Sequence, residues 1–209
     1  MNSEQVAALR ALLAPTGWLD RTATFARSLR RCARTPNGLL IFGTPDDEPW
    51  HMTAHLTDES RLAGIPELAP TLVRWAPPAN APGHLAVGLD RLRETTRQET
   101  LLVVTQQRAS GEFLERVQDV KRSGATVFSL NAGDSELEGL AHESLAIEPG
   151  IAPVSFVGAQ HLVSSTVLDD RGLRAEPDLA PAAVADMRSA GLRAKLARLL
   201  DAVSGTPVE

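Results

Sequence analysis

The sequence predicts an α/β fold: a three-layer, doubly wound sheet of five parallel strands, with helices added at both ends of the chain. Two observations carry this. Five short apolar runs, at 38–42, 71–75, 101–105, 126–130 and 144–148, have the length of buried strands. Between them lie segments with helical spacing, and strands that alternate with helices pair in parallel through crossovers that place helices on both sheet faces.

The elements follow in chain order. Across 3–33, Val6, Leu9, Leu12 and Leu13 share one helical face, and Phe25 and Leu29 continue it after a break at Pro15-Thr-Gly17. The run Gly38-Leu-Leu-Ile-Phe42, set between Asn37 and Gly43, reads as a strand. Asp46, Asp47 and Glu48 precede Pro49, and acidic residues before a proline at the first helical position predict a capped helix over 49–62. Five prolines between 66 and 82 leave Thr71-Leu-Val-Arg-Trp75 as the one strand in that stretch. A helix is predicted over 85–93, a strand at 101–105, a helix at 111–122 and a strand at 126–130. A short helix at 135–142, a strand at 144–148 and an apolar helix at 155–167 complete the alternation. The last segment, 180–203, is a long amphipathic helix with Val184, Met187, Leu192, Leu196, Leu199 and Leu200 on its apolar face.

This divides the chain into an N-terminal helical extension, 1–35, an α/β domain, 36–168, and a C-terminal helical extension, 169–209. Helices added at both ends of a compact α/β core often form a subunit contact, so a homodimer or higher homo-oligomer is expected. With 209 residues and 43% apolar content the chain can bury a sizeable core. A net charge of −5 with no basic face argues against a nucleic-acid footprint. No apolar run approaches the length of a bilayer span and no basic leader precedes one, so no membrane partner and a cytoplasmic location are expected. The single cysteine, Cys32, rules out an internal disulfide and a thiolate metal cluster.

The most informative chemistry is the strand, polar turn and helix spanning 101–123. Thr105-Gln-Gln-Arg-Ala-Ser110 closes an apolar strand at a helix start, and the carboxyl edge of an open α/β sheet is where anionic ligands bind. The plainer reading is a polar turn in which Ser110 caps the next helix. Asp46, Asp47 and Glu48 either cap their helix or hold a cation, and Asp134 of Asn131-Ala-Gly-Asp134 reads as a cap. Trp50, Arg74 and Trp75 read as packing at the sheet edge. His51 and His55 share one helical face at a spacing that suits a metal pair, but no third ligand stands nearby in the sequence. His161 lies in an apolar helix, as a core residue or a catalyst. No G-x-G-x-x-G follows Phe42, so a dinucleotide fold of Rossmann type is disfavoured, and neither cofactor nor metal is expected.

These residues resemble the sugar isomerase (SIS) domains. The resemblance covers roughly 36–168 and is best in Lys121-Arg-Ser-Gly-Ala-Thr-Val-Phe-Ser-Leu130 and in Leu137-Glu-Gly-Leu-Ala-His-Glu-Ser-Leu-Ala-Ile-Glu-Pro149, where a helix ending in Gly-Ala leads through a strand and a short helix to a closing strand. It implies a flavodoxin- or Rossmann-like sheet and a small sugar-phosphate ligand, with the phosphate held by a Ser-x-Ser-Gly-x-Ser/Thr turn. Here that turn is 105–110, so the implied phosphate and sugar contacts are Thr105, Gln107, Arg108 and Ser110, with Gly43 and Thr44 in the loop after the first strand. Gln107 stands where the family has Ser and Arg108 where it has Gly; Arg108 can pair with a phosphate or fill its space. In the phosphoheptose isomerase branch a run resembling Gln-His-Phe-Ala-Ala-Glu-Leu matches His51-Met-Thr-Ala-His-Leu56. That match places His55 at a catalytic Glu, and His161 at a His that moves a proton between adjacent carbons. Two functions stay open: a sugar-phosphate binder that isomerises aldose and ketose phosphates, or a non-catalytic dimeric binding or regulatory module with a degenerate phosphate site.

Overall fold

The computed structural model describes residues 17–150 and 154–167. One compact unit, Thr22–Leu168, holds all of these except 17–21. The helices predicted over 3–14 and 180–203 lie outside the described residues.

In chain order the elements are α1 (Trp18–Cys32), β1 (Leu39–Phe42), α2 (Trp50–Ala63), β2 (Thr71–Val73), α3 (Asp90–Arg93), β3 (Thr100–Thr105), α4 (Gly111–Arg122), β4 (Thr126–Asn131), α5 (Ser135–Leu140), β5 (Glu143–Ala146) and α6 (Phe156–Val167). The five strands form one sheet in the order β2-β1-β3-β4-β5. Every pairing is parallel, with Phe42 beside Val73 and Val103, Thr105 beside Asn131, and Asn131 beside Ala146. Central strands buried on both faces explain the unbroken apolar runs: every residue of β1 and β3 is buried.

Alternation along the strands sorts the core into two layers. Leu40, Phe42, Leu101, Val103 and Val127 pack with Phe113, Val117 and Val120 of α4 and with Leu137 of α5. There the Phe42 and Phe113 rings stack at 4.9 Å, and Trp75 stacks on Phe42 at 5.4 Å. On the other face α1 covers the sheet, with Phe25 edge-on to Phe128 at 5.4 Å. Helix α2 packs on β2 and on α6, and Arg30 of α1 donates to the Val167 carbonyl at the end of α6.

The helix predicted over 85–93 is replaced by a 3₁₀ turn, Gly83–Leu85, and by α3. The Arg74 amide donates to the Val87 carbonyl at 2.9 Å and Arg74 bridges Gly88, so this backbone extends β2 where a helix would need it for itself. The helix predicted to reach 142 stops at Leu140, because His142 leaves it to face β4, its amide on the Val127 carbonyl and its Nδ1 accepting from the Val127 amide.

Candidate functional site

In a 2-1-3-4-5 sheet the chain reverses direction between β1 and β3, and the loops leaving those two strands diverge to open a crevice at the carboxyl edge. Here the loops are 43–49 and 106–110. Gly43 is demanded by the close approach of the first loop to itself and to β3: a Cβ would collide with the Asp47 carbonyl, the Pro49 ring and the Val104 carbonyl. Its own carbonyl accepts from Trp75 Nε1 at 2.8 Å. Thr44 is buried, and its hydroxyl has no hydrogen-bond partner.

The acidic residues do not cap α2, which is preceded by Pro49 and has no side-chain cap. Glu48 instead accepts from Arg74 Nε at 2.8 Å and from Trp50 Nε1 at 3.1 Å, with the Arg74 guanidinium 4.5 Å from the centre of the Trp50 ring. Asp47 reaches across the crevice to accept from the Gln106 amide at 3.4 Å. Tertiary partners thus claim carboxylates that local sequence assigned to the helix end.

In the second loop, Thr105 is fully buried and its hydroxyl closes its own turn, accepting from the Gln107 amide at 3.0 Å and donating to the Gln107 carbonyl at 3.1 Å. Ser110 caps α4, accepting from the Phe113 amide at 3.3 Å. Arg108 does not block the turn: it points to solvent and makes one loose ion pair with Glu136 at 3.4 Å. Gln107 is exposed beside it.

The far wall was only partly legible in the sequence. The Asn131 side chain accepts from the amides of Gly133 and Asp134 at 2.7 and 2.9 Å and donates to Ser129, which pairs with Ser144. That turn, with Gly133 at φ 92, aims Asp134 so that it caps α5 through the Glu136 and Leu137 amides. Its second oxygen accepts from the Ala109 amide at 2.7 Å. A cavity of about 170 Å³ lies between Gln106, Gln107, Arg108, Gly133, Asp134 and Ser135. A second, of about 470 Å³, continues past Gln106 and Ala132 to Glu148 and Phe156. Gln106, which no sequence motif singled out, lines both.

The histidines converge where α2 packs on α6. His51 in the first turn of α2 and His55 one turn later meet His161 of α6, with ring centres 4.6, 4.6 and 4.2 Å apart. The Nε2 atoms of His51 and His161 are 3.0 Å apart. Burial, then His55 and His51, push the His161 imidazole down to about 4. Burial and His51 also lower His55, against the opposing pull of Asp58. At pH 7 the His161 imidazole is therefore unprotonated. Beside His161, the buried Gln160 carbonyl Oε1 has no hydrogen-bond partner.

No family model matches the chain, and no curated protein does. Among solved structures it is similar to a protein of Silicibacter pomeroyi assigned as a phosphosugar isomerase, with 18% identity and a TM-score of 0.51 over 80% of this chain and 49% of that one. It is also similar to the sugar isomerase domain of an RpiR transcription factor of Sphaerobacter thermophilus, with 11% identity and a TM-score of 0.47 over 77% of this chain and 88% of that one. A third is the NanR protein of Vibrio vulnificus, solved with ManNAc-6P, with 17% identity and a TM-score of 0.43 over 78% of this chain and 60% of that one. The chain thus spans about half the length of the Silicibacter protein. The fold is SIS-like: five parallel strands with flanking helices, as in the Silicibacter protein.

Proposed function

We propose that this protein binds a sugar phosphate in the crevice at the carboxyl edge of its sheet. The observation that carries the reading is the polar, helix-capping turn 105–110 at the β1/β3 switch point, beside an open cavity lined by Gln106, Gln107, Arg108 and Ser135. Arg108 supplies the positive charge: its surface pair with Glu136 is loose and worth little, so the guanidinium can exchange that carboxylate for a phosphate. Gln106 and Gln107 offer amides to sugar hydroxyls. The fold shared with an assigned phosphosugar isomerase accords with this ligand.

The finer reading is an aldose–ketose isomerase, with His55 or His161 moving the proton, acting as a cytoplasmic homodimer. A second reading, a binding or regulatory module without catalysis, is favoured by one observation: the Gln106 and Ala109 amides, suited to a phosphate, already donate to Asp47 and Asp134. Calorimetric titration with aldose and ketose phosphates, their unphosphorylated sugars and inorganic phosphate tests the ligand. Binding that requires both sugar and phosphate, weakened about 10- to 100-fold by Arg108→Ala, is expected. A flat response across the panel overturns the proposal. Incubation of the bound aldose phosphate in D₂O separates the two readings, since isomerisation exchanges the C2 proton and binding alone does not.

A further inference from the structure

We propose that Asn131 is the positioning residue of the ligand crevice: it fixes the 105–110 turn through Asp134 and ties that turn, through Ser129 and Ser144, to the edge strand β5. The inference rests on the sugar-phosphate reading for its ligand, whereas the positioning itself is measured without one.

Strands buried on both faces are apolar as a rule, and β4 departs from it at two places. In Thr126-Val-Phe-Ser-Leu-Asn131, Ser129 and Asn131 are fully buried. Alternation puts them on the same face as Val127, the face that packs on α4 and α5. Buried polar groups cost free energy unless they are bonded, and neither side chain is left without a partner.

The Asn131 carboxamide works in two directions. Its oxygen accepts from the Gly133 and Asp134 amides at 2.7 and 2.9 Å. Its nitrogen donates to the Ser129 hydroxyl at 2.7 Å, which meets the Ser144 hydroxyl of β5 at 3.0 Å. Asp134, aimed in this way, accepts from the Ala109 amide at 2.7 Å. Ala109 follows Arg108, so that bond fixes the backbone from which the guanidinium leaves the turn. The Asn131 main-chain carbonyl adds a bond from the Ile147 amide at 2.7 Å. Gly133 and Asp134 line the smaller cavity and Ile147 the larger, so one residue holds walls of both. A carboxamide can accept two amides and donate at the same time; a carboxylate only accepts, and an aliphatic side chain does neither. A wall held by a bonded, buried network is rigid, and rigidity before binding spares the ligand the cost of ordering it. Affinity is thereby set by a residue that lines neither cavity.

The test uses the full-length chain labelled with ¹⁵N and three variants whose folding is checked by circular dichroism. The reporter is the Ala109 amide proton, held on a carboxylate. Asn131→Leu should move its resonance and speed its exchange about 10-fold or more. The same variant should bind about 10-fold more weakly the aldose or ketose phosphate that the wild-type chain binds most tightly in calorimetry. Asn131→Asp keeps both acceptor bonds, with the Ser129 hydroxyl turned to donate, and should bring exchange and affinity back to within about threefold of wild type. Ser129→Ala cuts only the tether to β5, and should move the Ala109 signal in the same direction by less. A merely structural Asn131 gives Asn131→Leu a lower urea midpoint but wild-type Ala109 exchange and affinity where the variant is folded; that result overturns the proposal. So does an Asn131→Asp chain no closer to wild type than Asn131→Leu. Where Asn131→Leu does not fold, Ser129→Ala decides, and an unmoved Ala109 signal overturns the proposal. A wild-type chain that binds no sugar phosphate, while Ala109 responds as expected, refutes the ligand reading alone.

Discussion

At single residues, the same side chain often serves packing where the sequence hinted at chemistry. Gly43 is the clearest case: its missing Cβ lets the 43–49 loop fold back against Val104, whatever ligand the crevice takes. Gly43→Ala should cost about 1–3 kcal/mol by overpacking, read as a lower urea midpoint with unchanged slope. The histidines make a pH prediction. His55 and His161 are held below their ordinary value of 6.5, His161 at about 4. The unfolded chain therefore binds protons in that window that the folded chain refuses. The protein should be fully stabilised above pH 6.5 and lose stability as pH falls towards 4, and His161→Ala should flatten that part of the stability curve. Equal pH slopes for wild type and variant would show that the rings are solvated and uncoupled.

Elements depend on caps that also build the site wall. Asp134 ends the Asn131 turn, starts α5 and holds the Ala109 amide of the loop before α4. Asp134→Ala should cost about 1–3 kcal/mol, because it leaves three amides without their acceptor, one of them in the 105–110 turn. Loss of order in that turn, seen as faster amide exchange at 107–110, should accompany the change; exchange confined to α5 would mean that the bond to Ala109 has no positioning role. Strand boundaries were legible because buried parallel strands need unbroken apolar runs, and β1, β3 and β4 fall within a residue of their predicted ends. The short helices were less so. Helix α3 is one turn long because the residues before it bond to β2, and no local pattern encodes that pairing.

For the whole molecule, the sheet order decides which edge binds. Sugar phosphate should protect amides in 43–48, 105–110 and 132–135 from hydrogen exchange, and leave the pocket at the opposite edge, between Thr35, Arg91 and Glu99, unaffected. Protection centred on 94–99 would refute the placement of the site.

The sequence by itself determined the five parallel strands, the turn 105–110 and its Ser110 cap, since these rest on local periodicity and on side chains bonding within three residues. It offered His51 and His55 as a pair and left His161 alone in an apolar helix. Only the tertiary structure brought the three rings together, turned Arg108 outward and sent Asp47 and Asp134 to amides of another loop. The reason is separation: Asp47 and Gln106 stand 59 residues apart and His51 and His161 stand 110 apart. Contacts across such distances follow from how helices pack on the sheet, which no short stretch of residues specifies.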